Sequence, residues 1–107
     1  MALADNIGEV PAIVLVCATS PGGRESVIPA TQNLLLAARA LGIGGTITSL
    51  HADVEYDVQK LLELPNGAGV VYCIPLGYPQ GRFGPVTRNP LKEIVSVDKW
   101  GSSPDWV

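Results

Sequence analysis

Residues 25–51 read ESVIPATQNLLLAARALGIGGTITSLH. Within this stretch, VIPATQNLLLAARAL predicts a helix from Val27 to Leu41. Ser26 stands where an N-cap belongs, Pro29 falls in the first turn, where a missing N–H leaves no bond unmade, and Gly42 suits the left-handed C′ position. Beyond its first turns the helix carries few polar groups, chiefly Gln32, Asn33 and Arg39, so it is apolar on several sides. A small sheet cannot cover such a helix, and a second surface must supply part of its environment. Gly44–Leu50 (GGTITSL) then predicts a strand with a flexible entry, running out at His51.

Two apolar runs flank this stretch. Ala12–Ala18 (AIVLVCA) is continuous and β-branched, which reads as a strand buried on both faces and lying centrally in a sheet. The Thr19–Gly23 turn (TSPGG) stops it. Val70–Leu76 (VVYCIPL) reads as a third strand, which Pro75 should end early because a central ladder position has no place for a residue without an N–H. Between them Val54, Val58, Leu61 and Leu62 fall at i, i+4, i+7 and i+8, an amphipathic helix capped near Asp53 and closed at Leu64-Pro65-Asn66-Gly67. Gly77–Asn89 (GYPQGRFGPVTRN) is a Gly/Pro-rich loop, Leu91–Trp100 a short turn and tail, and residues 1–10 a frayed leader. A length of 107 residues bounds the chain to a single small domain or a piece of a larger one.

Hydrophobic residues make up 47% of the chain and charged residues 16%, so it folds rather than staying disordered. A net charge of -3 with no basic cluster argues against nucleic acid or an anionic membrane as partner. No apolar run approaches the ~20 residues of a membrane-spanning helix, and the start lacks the basic and apolar regions of a secretory signal, so a cytoplasmic location is expected. Cys17 and Cys73 sit inside apolar strands as small buried hydrophobes. With a single histidine, His51, and no CxxC spacing, no metal site is expected. His51 itself, at a strand end with no partner in a motif, reads as a loop histidine, and no catalytic triad is present.

The order helix, Gly42-Ile43-Gly44-Gly45, strand reverses the arrangement of a dinucleotide-binding fingerprint, so these glycines read as a helix stop and tight turn. A Gly-rich entry to a strand nevertheless lets a planar ligand approach the backbone. Arg88, in the Gly/Pro loop, reads either as a cation placed to fork onto a phosphate or as a solvated loop arginine.

In their order and spacing, QNLLLAARALGIGG (32–45), the strand end PLGYP (75–79) and RNPLKEIV (88–95) with DKW (98–100) after it resemble the C-terminal half of the nitroreductase family of FMN-dependent oxidoreductases. The resemblance covers Pro11–Trp100. It implies an α+β fold, a mixed sheet flanked by helices, present here as its C-terminal half. It also implies a homodimer or higher oligomer with FMN sites at the interface, the long helix packing on the partner and the tail of residues 95–107 reaching across. The resemblance puts Ile47, Thr48, Ser49 and Leu50 beside the flavin, mostly through backbone, and Arg88 on the FMN phosphate. Where the family often has a second basic residue near that loop position, this chain has Val86 and Thr87. The implied activity is transfer of hydride from NAD(P)H through FMN to a small-molecule acceptor, a quinone or nitro-aromatic compound, in a ping-pong cycle. The protein positions and tunes, and no side-chain nucleophile is needed. The N-terminal arginine segment of the family has no counterpart here, which motivates an alternative: a cofactor-free dimerisation or interaction module derived from the same fold.

Overall fold

Sheet pairing begins between the two apolar runs. The computed structural model describes residues 3–20 and 22–107; Met1, Ala2 and Pro21 of the Thr19–Gly23 turn lie outside them. Strand β1 (Ala12–Ala18) pairs antiparallel with β3 (Gly69–Gly77), and β3 pairs antiparallel with the two-residue strand β2 (Gly44–Gly45), in the order β1-β3-β2. Helices α1 (Val27–Ala40), α2 (Glu55–Leu61) and the single turn α3 (Leu91–Ile94) complete the regular elements, with 3-10 turns at Leu3–Glu9 and Ala52–Val54. The fold is α+β.

Three strand expectations need correction. The central strand is β3, and β1 lies at an edge among the described residues. Nor are both its faces covered: Val14–Cys17 are half-buried and Ile13 is 44% exposed, and an apolar run carries no information about a strand's two hydrogen-bonding edges. Strand β3 also does not end at Pro75 but runs through it to Gly77. The expected strand Gly44–Leu50 survives as β2 and an isolated bridge between Thr48 and Cys73. The last two corrections share a cause. The pairings Gly44↔Gly77 and Thr48↔Cys73 lie in one continuous register, which sets Thr46 opposite Pro75. Thr48 and Cys73 exchange both backbone bonds, 3.0 and 2.9 Å, so alternation makes Thr46 and Pro75 the next reciprocal pair. Pro75 has no N–H to give, and the ladder opens there.

The core collects on β3. Ile74 is fully buried, and Val70, Val71 and Cys73 are buried beside it. Removing the Ile74 side chain from water stabilises the fold by about 1.5–3 kcal/mol. The register slips between Val16 and Cys17, leaving Val71 of β3 as the unpaired bulge residue. Helix α1 lays one stripe on the sheet: Thr31 and Ala38 are buried and Leu34 and Leu35 half-buried, spaced as neighbours on one helix face. Its other apolar residues face outward, Leu36 at 57% exposure and Ile28 at 49%. The helix begins at Val27 as expected, although the Ser26 hydroxyl caps nothing. It ends as a Schellman motif: Gly42 has φ +77°, its N–H donates to the Arg39 carbonyl (3.0 Å), and the Ile43 N–H donates to the Ala38 carbonyl (2.8 Å).

The leader expected to fray is wound into 3-10 turns over Leu3–Glu9, with Ile7 reaching the cavity beside α2. From Tyr78 to Val107 nearly every residue is exposed. The radius of gyration, 17.9 Å, exceeds the roughly 13 Å of a compact chain of this length, consistent with an arm leaving the body. Within that arm the Ser102 carbonyl accepts a bond from the Val97 N–H (2.8 Å) and the Ser96 hydroxyl accepts one from the Gly101 N–H (3.0 Å), forming a closed turn with Trp100, fully exposed, at its tip.

Candidate functional site

The edge of the sheet at β2 is built by what cannot fit there. A Cβ on Gly45 would lie 2.7 Å from Leu76 Cδ2, 3.1 Å from Leu35 Cδ2 and 3.4 Å from the Pro75 carbonyl oxygen, so this glycine lets α1 close against β3. Gly44 lies beneath the late loop, where its Cβ would be 3.4 Å from the Gly77 carbonyl oxygen. The chain then leaves the ladder over Thr46–Ile47 and rejoins it at Thr48.

The four residues expected beside a ring ligand therefore differ in what they have to offer. Thr48 is committed to the fold: both backbone groups bond Cys73, and its hydroxyl donates to the Cys73 carbonyl at 2.6 Å while accepting from the Leu50 N–H at 3.4 Å. The Ser49 carbonyl accepts from the Ala52 N–H (3.0 Å), and the Ser49 hydroxyl has no partner. Ile47 is the open member. Its side chain is 45% exposed, its backbone N–H and C=O have no hydrogen bond, and alternation along the edge turns them away from β3. Leu50 is partly exposed and lines an apolar cavity of about 570 Å³ between β1, β3 and α2.

Arg88 lies on the exposed late loop, where its Nη1 donates to the Thr87 carbonyl at 2.8 Å. Among the described residues no carboxylate pairs with it. The guanidinium retains most of its donors for another acceptor. The same loop is tied down elsewhere: the Arg39 guanidinium at the end of α1 lies 3.6 Å from the centroid of the Phe83 ring. The sequence held no signal for this contact, because the partners belong to elements related only through the fold.

His51 lies in the turn after Thr48, as expected, and is buried there, 7% exposed. Its Nε2 lies 3.1 Å from the Val70 carbonyl oxygen, which can only accept, so Nε2 carries the proton. Nδ1 is buried without a partner. The ring pins the segment after Ile47–Leu50 onto β3. Among the described residues no cluster of His, Cys, Asp or Glu could hold a metal ion. Cys17 and Cys73 are free thiols, and burial pushes the Cys17 thiol above its ordinary range. No helix among the described residues is long and apolar enough to cross a membrane.

A flavin needs backbone groups free to meet the polar edge of its ring and a cation for its phosphate. The open Ile47 peptide groups fit the first need, and Arg88 fits the second as a single unpaired guanidinium.

Comparisons with known proteins agree with this architecture. The model of the nitroreductase family matches residues 18–78, from the end of β1 through β3. An inferred NADH dehydrogenase/NAD(P)H nitroreductase of Methanothermobacter thermautotrophicus is 30% identical over 103 residues, covering 88% of this chain and 53% of that protein. The chain thus spans about half the length of this curated relative. Among solved structures, inferred NADH dehydrogenase/NAD(P)H nitroreductases of Bacteroides thetaiotaomicron and Parabacteroides distasonis superpose with TM-scores of 0.72 and 0.69 at 27% and 26% identity. These matches cover 89% and 91% of this chain and 60% and 67% of theirs. Nitroreductase A of Vibrio parahaemolyticus, at 20% identity and a TM-score of 0.67 over 95% of this chain and 52% of its own, shares the fold. With the family match spanning more than half of the chain and the strands, helix stop and glycine-built edge in place, this chain belongs to the nitroreductase family.

Proposed function

We propose that the chain is part of an FMN-dependent oxidoreductase that passes hydride from NAD(P)H to a quinone or nitro-aromatic acceptor. Family membership supports the reaction class, and the open backbone of Ile47 at the glycine-built edge is the observation that carries the reading to these residues. Bound FMN would supply the hydride acceptance and release that no side chain here can perform. The protein's part is placement. Ile47 presents a backbone donor and acceptor to the ring edge, Thr48 fixes that peptide against β3, and Ser49 adds a free hydroxyl. Leu50 and the apolar cavity beyond it limit water on one side. Arg88 exchanges its Thr87 carbonyl contact for the phosphate.

A dimer belongs to the same proposal, because Ile28 and Leu36 on α1 and Trp100 on the arm are apolar surfaces that one chain leaves open. So does a cytoplasmic location. The exposed apolar arm equally suits a cofactor-free dimerisation module, and FMN titration separates the two. Quenching of flavin fluorescence that saturates stoichiometrically at micromolar FMN is expected, and absence of quenching would leave the module reading in its place. Arg88→Ala should weaken FMN binding about ten- to hundredfold, the scale of charged hydrogen bonds worth roughly 1.5–3 kcal/mol, and barely change riboflavin binding. Equal losses for both ligands would show that Arg88 supports the loop and not the phosphate.

A further inference from the structure

We propose that Pro75, a buried residue of the central strand, is a positioning residue that sets the open flavin edge by ending β2 at Gly45. The inference rests on the flavin reading above for its ligand, and on the register of the sheet for its mechanism. Gly44↔Gly77, Gly45↔Leu76 and Thr48↔Cys73 all belong to one antiparallel register without an inserted residue. The gap at Thr46–Ile47 is therefore not a bulge, which would shift the pairing beyond it. It is a single missing donor. In this register the Thr46 carbonyl would accept from residue 75, and proline is the one residue that cannot donate. Thr46–Ile47 consequently lies outside the ladder, although the bridge at Thr48 shows that the strands stay in step on its far side.

Two neighbours keep this opening in place. On one side Gly45 is clasped between Leu35 and Leu76, and on the other Thr48 is held by three bonds to Cys73. The freed segment is two residues long between two fixed points, so its geometry is narrowly set. A residue with an N–H at position 75 would bond the Thr46 carbonyl and draw Thr46 closer to β3; the Ile47 N–H and C=O would still face outward by alternation, but from a position shifted towards the sheet and off the one that meets a ring.

The test compares Pro75→Ala and Pro75→Val with the unaltered chain; both restore an N–H, and valine retains most of the buried volume should the alanine variant pack too loosely to fold. Amide hydrogen exchange reads the backbone without any ligand. The new amide at position 75 is expected to exchange at least tenfold more slowly than an open peptide group, reporting its bond to Thr46. An unprotected amide in the folded variants would overturn the proposal. FMN and riboflavin affinities should then fall together, about tenfold, since the ring side is affected and the phosphate side is not. A closed ladder with unchanged flavin affinity would refute the positioning role. If the unaltered chain bound neither flavin, the flavin reading and the positioning role would both be lost, while the exchange data would still decide whether Pro75 ends β2.

Discussion

Replacing Gly42 by alanine isolates a single physical effect. Gly42 has φ +77° at the C′ position of α1, and a Cβ placed there meets no atom within 4 Å. Steric overlap with the rest of the protein is therefore absent, and what remains is the intrinsic cost of the left-handed region for an L-residue, about 1–2 kcal/mol. Both Schellman bonds, to Arg39 and Ala38, depend on that conformation, so the substituted chain must carry the strain or give up the bonds. For a domain of this size, about 1 kcal/mol corresponds to roughly 4–8 °C in melting temperature. Thermal unfolding followed by circular dichroism at fixed protein concentration should place Gly42→Ala about 4–16 °C below the unaltered chain. Gly42→Asn should fall between the two, because asparagine visits this region more readily. D-alanine introduced by chemical ligation should match or exceed glycine, since it favours positive φ and restricts the unfolded chain. Equal melting temperatures for Gly42→Ala and the unaltered chain, or a loss with D-alanine as large as with L-alanine, would refute the reasoning.

Assembly and thiol chemistry offer further checks. Leu36→Lys, on the outward face of α1, should convert a dimer into a monomer in sedimentation at tens of micromolar without altering the circular dichroism spectrum, whereas Leu35→Glu, packed near Gly45, should unfold the chain. A monodisperse monomer for the unaltered protein would remove the basis for a dimer. Because burial favours the neutral Cys17 thiol, its alkylation near pH 8 should be slower than that of free cysteine, and its reactivity should rise only at higher pH. For the same reason Cys17 supports the fold while it stays protonated, and that support declines as pH climbs past the ordinary thiol range. Labelling as fast as free cysteine would show that the thiol is open to water.

What could be read from the sequence was what short stretches encode. The start of α1, its stop at Gly42 and the amphipathic spacing around Val54–Leu62 are local signals, and the structure carries them with small shifts of boundary. The position of β1 was misjudged because apolar runs describe faces, and only pairing partners distinguish an edge from a centre. Pro75 was misjudged because its effect depends on which neighbour its missing N–H would have addressed, a fact of register that no window of the sequence contains. The candidate site divides in the same way. Ile47–Leu50 came from the family resemblance and Arg88 from its loop position together with that resemblance, but the division of labour between an open Ile47 and a committed Thr48 exists only once β3 lies alongside.

Strands β1 and β3 join residues more than fifty positions apart, Ala18 with Gly69 and Ala12 with Leu76. On a ribosome adding about 5–20 residues per second, the AIVLVCA segment waits some 3–10 s for its partner to be made. Throughout that interval β1 lacks the edge that β3 will pair, and α1, made in between, is an apolar surface on which it can rest. Folding is therefore limited by the closing of a long loop, and the period of greatest exposure to aggregation falls before Gly77 has emerged.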